Sequence, residues 1–186
     1  MSQLAEAPLV ERAIKRDAGA FGQLYELHLD RIYRYVYYRV ASTQEAEDLT
    51  EQVFLKAWEA IGRYRWQGRP FLAWLYRLDH NTHIDYVRTQ KPTTSLNNDD
   101  RPIELASSAA AVELGRALDA DLLAQALGQL TTEQQQVIVM KFIEGLDNEQ
   151  IAQTMDKREG AIRALQMRAL MSLRRVLENQ GERGQA

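Results

Sequence analysis

From Phe21 to Val40 the large apolar side chains recur at intervals of three and four: Phe21, Leu24, Tyr25, Leu29, Ile32, Tyr33, Val36, Tyr37 and Val40. That spacing lines one face of a helix and cannot line one face of a strand, whose period is two. Ala46, Leu49, Val53, Ala57 and Ile61 make a second stripe, with Ser42 or Thr43 placed to cap it and Glu45 and Glu47 near its positive end. Gly62 ends that stripe. No Asn-Gly or Asp-Gly hairpin signal lies between apolar runs, while the helix formers Ala, Leu, Gln, Glu and Arg recur throughout. The chain is expected to be all-α.

The pattern breaks once. Lys91-Pro92-Thr93-Thr94-Ser95 and Asn97-Asn98-Asp99-Asp100-Arg101-Pro102 are turn and breaker sequences with few large apolar residues. A division is therefore expected into a first small helical domain over 1–92, a flexible acidic linker over 93–118, a second small helical domain over 119–178 and a disordered tail over 179–186. Within the first domain a third helix is expected from Phe71 to about Gln90. In the second the pattern predicts helices near Ala110–Leu130, Thr132–Glu144, Asn148–Met155 and Arg158–Glu178, with Gly145 as a stop. Asp147 and Gln150 have the spacing of a capping box.

Composition removes several classes of function. With 186 residues, 45% of them hydrophobic, the chain can bury a proper core. It has no cysteine, which excludes disulfides and thiolate metal sites and fits a reducing cytoplasm. No apolar run approaches the roughly 18 residues of a membrane span, and Met1–Val10 lacks the pattern of a signal peptide, so a cytoplasmic protein is expected. Net charge is −3 but uneven. Residues 61–91 carry six basic against two acidic side chains, 157–175 carry six against one, and 93–121 carry six acids against two bases. Two basic patches flank an acidic connector.

Each basic patch suits nucleic acid. On the helix expected from Arg158, the residues Ile162, Leu165, Ala169, Leu173 and Val176 fall on one stripe, while Arg163, Met167, Arg174 and Arg175 fall opposite. Ile151, Ala152 and Met155 precede them on a short helix, as in a helix-turn-helix whose second helix enters the major groove. An ordinary solvated basic face is the alternative. In the first domain Arg77, His80, Asn81, Arg88 and Lys91 share an arc of about 100°. Tyr64 and Trp66 alternate with Arg63, Arg65 and Arg69 just before it, a platform on which unstacked bases could stack. The alternative is that these aromatics cover the core. His80 and His83 have no third strong ligand nearby, so neither a metal nor a cofactor is expected. No phosphate loop or nucleophile motif is present, so the chain is not expected to be an enzyme.

Over nearly its whole length the sequence resembles the sigma-70 family of transcription initiation factors, in its extracytoplasmic-function group. Ala46-Glu47-Asp48-Leu49-Thr50-Glu51-Gln52-Val53-Phe54-Leu55-Lys56-Ala57-Trp58 is similar to the family's polymerase-docking helix. Phe71-Leu72-Ala73-Trp74-Leu75-Tyr76-Arg77, followed by Asn81, Ile84, Asp85 and Arg88, is similar to its promoter-reading helix. Ala126-Leu127-Gly128-Gln129-Leu130, Glu149-Gln150-Ile151-Ala152 and Arg168-Ala169-Leu170 with Leu173-Arg174 resemble its C-terminal helix-turn-helix. Two matches in the family's order are far more specific than either alone.

The resemblance implies a factor, monomeric when free, that binds core RNA polymerase at the clamp helices of the largest subunit and the flap of the second-largest. It implies docking by Asp48, Gln52 and Val53. It implies capture of the single-stranded minus-ten element by Tyr64, Trp66, Tyr76, Arg77, Asn81 and Arg88, and contact with the duplex minus-thirty-five element by Arg158, Arg163, Met167 and Arg168. Trp58 and Trp74 are expected to pack the core. Because the family often works under an anti-sigma factor, such a protein is a further implied partner. The sequence departs from the family at Asp79 and His80, where many members have Ala and a basic residue, at Thr131 for Pro, at Asp156 for Gly, and at Ala161 and Ala164 for hydroxyl residues. Two other readings stay open: a stand-alone helix-turn-helix regulator, and an inactive sigma mimic that binds only protein.

Overall fold

The computed structural model describes residues 3–65, 70–79 and 120–183. The expected domain boundary and linker, with Trp66, Asn81, Arg88 and Asp85, lie outside the described residues. Among the described residues every regular element is helical.

The first group of helices comprises α1 (Gln3–Ile14), α2 (Ala18–Val40), α3 (Thr43–Ala60) with a 3₁₀ turn at Ile61–Arg63, and α4, described over 71–79. Helix α1 was not anticipated from the sequence. Pro8 lies inside it, where proline removes an intrahelical hydrogen bond and normally argues against a helix. Packing overrides that cost, because Val10 and Ala13 are fully buried. Asp17 caps α2 by accepting from the Ala20 amide at 3.0 Å. That bond, with Arg12 beside it, holds the Asp17 carboxyl below its ordinary range. Ser42 caps α3 by accepting from the Glu45 amide at 3.4 Å, so of the two candidates the first is used.

Helix α2 is the spine. It buries Leu24, Ile32, Tyr35 and Val36, and α3 buries Leu49, Val53, Phe54 and Ala57, as their spacing predicts. Each large side chain so buried contributes about 1.5–3 kcal/mol. Helix α4 lies on α2 through ring contacts of Phe71 with His28 and of Tyr76 with Tyr35. Arg16 ties the far end, donating to the carbonyls of Trp58 at 2.6 Å and Glu59 at 3.0 Å at the negative end of α3. Gly62 allows that approach, since a Cβ there would sit 3.1 Å from Arg16 Nε.

The second group comprises α5 (Ala120–Leu127), α6 (Thr132–Ile138), α7 (Asn148–Met155) and α8 (Glu159–Arg183). The expected start of α5 near Ala110 lies outside the described residues. Thr131, where the family often has Pro, forms a capping box with Gln134, and Asp147 forms the anticipated one with Gln150. Two boundaries differ from expectation. The helix expected over Thr132–Glu144 is α-helical only to Ile138 and continues as a π turn over Val139–Ile143, before Gly145 takes φ +71°. Helix α8 continues beyond Glu178 to Arg183, carried by the Arg174–Glu178 pair and by Val176 and Leu177, which pack on the core.

The two groups touch. Helix α2 packs against α5, α6 and the π turn, and the buried residues of both groups form one continuous cluster.

Candidate nucleic-acid interface

The second group presents its candidates outward. Ile162, Leu165, Ala169 and Leu173 of α8 are buried, and on the other side Arg158, Arg163, Met167, Arg168, Arg174 and Arg175 are exposed. The turn before α8 is sharp because Asp156 adopts the left-handed conformation, φ 54°, that its short polar side chain tolerates. The Lys157 amide then returns to the Ala152 carbonyl at 2.9 Å, and the Ile162 amide reaches the Arg158 carbonyl at 3.1 Å. Gln166 donates to Asn148 at 3.0 Å and clips the outer helix to the start of α7. The result is a helix-turn-helix whose second helix is preceded by Lys157 and Arg158 and begins with Glu159. Arg163 pairs with Glu159 at 3.2 Å and Arg174 with Glu178 at 2.8 Å, exposed pairs that a phosphate can displace at little cost.

The first group is more mixed. Asp48 and Gln52 of α3 are exposed on one face. Val53 is not: its side chain is fully buried in this arrangement. Its place in the apolar stripe of α3 is the signal that decides this. Arg77 is exposed, as minus-ten contact requires. Tyr64 is half-buried, its ring edge-on to Phe71 with centroids 5.9 Å apart and tilted on Trp74 at 4.6 Å, so it belongs partly to the core. Trp58 and Trp74 pack against the core as expected.

Tyr76 lies inside as well. It is fully buried, and its hydroxyl donates to Glu144 at 3.0 Å. Burial, with the Glu144 carboxylate beside it, pushes the phenol well above its ordinary range. In this arrangement no base reaches it.

Asp79, one of the departures from the family, is buried and paired with Arg39 of α2, itself buried over the Tyr35 ring. Burial pushes the Asp79 carboxyl up against the pull of Arg39. Arg39 Nη1 also reaches the Tyr35 hydroxyl at 3.4 Å, and among the described residues Arg39 Nε and Nη2 find no hydrogen-bond partner. Two residues along a helix are about 200° apart, so an Asp79 locked inward turns Arg77 outward. Sequence reading missed Arg39 because an arginine within a tyrosine-rich helix reads as a surface residue. It missed Glu144 because a carboxylate before Gly145 reads as a turn.

Among the described residues no group of three or more His, Asp or Glu side chains gathers as a metal site would, and no helix is long and apolar enough to cross a membrane.

The comparisons with known proteins say what a chain with a helix exposing Asp48 and Gln52, followed by a helix-turn-helix with an exposed basic side, is similar to. Residues 24–93 match the family model of Sigma-70 region 2, and residues 120–173 match that of Sigma-70, region 4. The ECF RNA polymerase sigma factor BldN of Streptomyces coelicolor is 38% identical over 173 residues, which cover 91% of this chain and 64% of BldN. The ECF RNA polymerase sigma factor SigL of Mycobacterium tuberculosis is 29% identical, over 97% of this chain and 98% of SigL. Among solved structures, CnrH in complex with the cytosolic domain of CnrY superposes with a TM-score of 0.68 at 26% identity, covering 94% of this chain and 98% of that one. The chain belongs to the sigma-70 family, in its extracytoplasmic-function group.

Proposed function

We propose that this chain binds core RNA polymerase and directs it to promoters, with the exposed face of α3 around Asp48 and Gln52 docking on the clamp helices of the largest subunit. The second group docks on the flap of the second-largest subunit and lays α8 in the major groove of the minus-thirty-five element. There Arg158, Arg163 and Arg168 meet phosphates and base edges, and Met167, 39% exposed, offers an apolar contact. Arg77 and the half-buried Tyr64 serve the minus-ten strand. Trp66, Asn81 and Arg88 are carried to that role by the resemblance alone. The observation that carries the reading is that every residue assigned to the duplex is exposed, Arg158 just before α8 and Arg163, Met167 and Arg168 on it, while Ile162, Leu165, Ala169 and Leu173 of the same helix are buried.

CnrH was solved with the cytosolic domain of CnrY, which supports a second protein partner here, an anti-sigma factor in the manner of the family. The chain spans a little under two thirds of BldN, so the shared activity is read from the shared segment alone.

The test is a titration of fluorescently labelled protein with bacterial core RNA polymerase, beside a variant carrying Asp48→Lys and Gln52→Ala. Tight binding that the variant abolishes is expected. A folded sample that does not bind core enzyme yet binds duplex DNA would instead make the chain a stand-alone regulator.

A further inference from the structure

We propose that the outward side of α8 carries an apolar spine, Gly160, Ala164 and Met167, which selects duplex DNA through the C5-methyl groups of thymine. The proposal deepens the promoter-directing reading above and rests on it where polymerase is concerned, but the methyl contact itself involves α8 and duplex DNA alone.

At about 100° per residue, Gly160, Ala164, Met167 and Met171 stay within about 60° of arc, on the side of α8 opposite Ile162, Leu165, Ala169 and Leu173. Arg163 and Arg174 lie about 60° to one side of that line, and Arg168 and Arg175 about 60° to the other. Gly160, Ala164 and Met167 are exposed, and Met171 is half-buried. The centre of an ordinary solvated face is where water is nearest and polar side chains gather. Here the order is reversed: the cations stand in two rows and the middle is apolar.

Packing within the protein does not ask for that middle. A Cβ at Gly160 would meet nothing within 4 Å among the described residues, and Met167 keeps 39% of its surface in water. Gln166, next to it, donates its amide to Asn148 at 3.0 Å and so is committed to α7. The shape fits a groove instead. The major groove is about 12 Å wide and admits a helix about 10–12 Å across with its side chains. Two rows of arginines then face the two phosphate walls, and the spine faces the floor. With no side chain at Gly160, the start of α8 can come close to the base edges.

From Gly160 to Met167 the helix rises about 10 Å, the height of about three base pairs. On the groove floor the bases offer hydrogen-bond donors and acceptors, and the thymine methyl is the one apolar group among them. Glycine and alanine side chains make no hydrogen bond, and the methionine sulfur is a weak acceptor. A cytosine amino group beneath Met167 would be buried without a partner, at a cost. A thymine methyl there leaves water instead, a gain of about fourfold in affinity. A serine or threonine at 164 could pair with several base edges, and Ala164 cannot. The arginine rows therefore set register and salt dependence, while the spine selects at least one A·T pair whose thymine lies beneath Met167.

Duplexes with a randomised window upstream of a fixed minus-ten segment are selected with the full-length chain bound to core RNA polymerase, and again with the chain alone. Each invariant thymine of the selected duplexes is then replaced by deoxyuridine, which removes the C5-methyl and nothing else. At one thymine or more, affinity should fall about fourfold. Met167→Ala, a change at an exposed side chain, should lose at least as much on the thymine duplex and nothing further on the deoxyuridine one. Its slope of log affinity against log salt should match wild type, since no cation has been removed. Selected duplexes without an invariant thymine, deoxyuridine that changes nothing, or a deoxyuridine loss that persists in Met167→Ala each overturn the spine. Methyl-dependent selection by a chain that does not bind core enzyme keeps the spine and overturns the promoter-directing reading. Core binding with selected thymines blind to deoxyuridine does the reverse.

Discussion

The two groups of helices treat their assigned residues in opposite ways. In the second, Arg158, Arg163, Met167 and Arg168 all face water, and the helix that carries them is fixed by side chains on its other side. In the first, Val53 and Tyr76 are inside, Tyr64 is half inside, and Asp48, Gln52 and Arg77 are outside. The difference follows from how each residue type divides between water and core. An arginine on one side of a helix with an apolar stripe opposite has one place to go. A tyrosine has two, because its ring gains from burial and its hydroxyl accepts any nearby partner. Charge therefore marks the second group's surface, whereas in the first group the same sequence region serves both packing and recognition.

If the first group spends polar residues on structure, its largest losses on mutation should be losses of stability. Asp79→Ala leaves Arg39 buried without a counter-charge, and a loss of about 3–5 kcal/mol is expected in urea unfolding. The double change Arg39→Met with Asp79→Leu should recover most of it, since apolar replacement of a buried pair is often neutral. A single variant as stable as wild type would mean that Arg39 reaches water after all. Val53→Ala should cost about 2 kcal/mol by removing methyl groups from a fully packed site. Its affinity for core polymerase, corrected for the folded fraction, should change less than twofold. A large affinity loss at unchanged stability would restore Val53 as a docking residue.

Much of this was legible in the sequence, and what was not has physical causes. The stripes of α2, α3 and α8, the caps at Ser42 and Asp147 and the left-handed Asp156 are local facts, decided within a few residues. Helix α1 was hidden because Pro8 argues locally against what Val10 and Ala13 gain by packing. The polar partners of Glu144, which follows the π turn, were hidden because Arg31, Arg34 and Tyr76 lie far away in the chain. Arg39 and Asp79 are a pair of the same kind, invisible until α2 and α4 lie together. Sequence pattern reports on one element at a time, and long-range polar interactions belong to two.

The second group should answer mutation in binding rather than stability. Arg163→Ala removes an exposed side chain whose pair with Glu159 contributes little, so stability should stay within about 0.5 kcal/mol. Promoter affinity should fall, and the slope of log affinity against log salt should drop by about 1, as it does when one cation no longer meets a phosphate. An unchanged slope would mean that α8 meets something other than the DNA backbone.

The smallest effect tests the junction between the groups. Tyr37 of α2 donates its hydroxyl to Asp121 of α5, and only the neutral phenol can donate. That bond, with some help from burial, raises its pKa from the ordinary 10.0 to about 12. Between those values the folded protein keeps a proton that the unfolded chain has released, so stability declines as pH rises. The contribution is complete below about pH 10 and gone once the pH has passed about 12. In Tyr37→Phe the contribution is absent at every pH. The stability curves of wild type and variant should therefore differ at neutral pH and converge above about pH 12, with other tyrosines and lysines cancelling in the difference. Curves that run parallel throughout would place Tyr37 and Asp121 apart in solution.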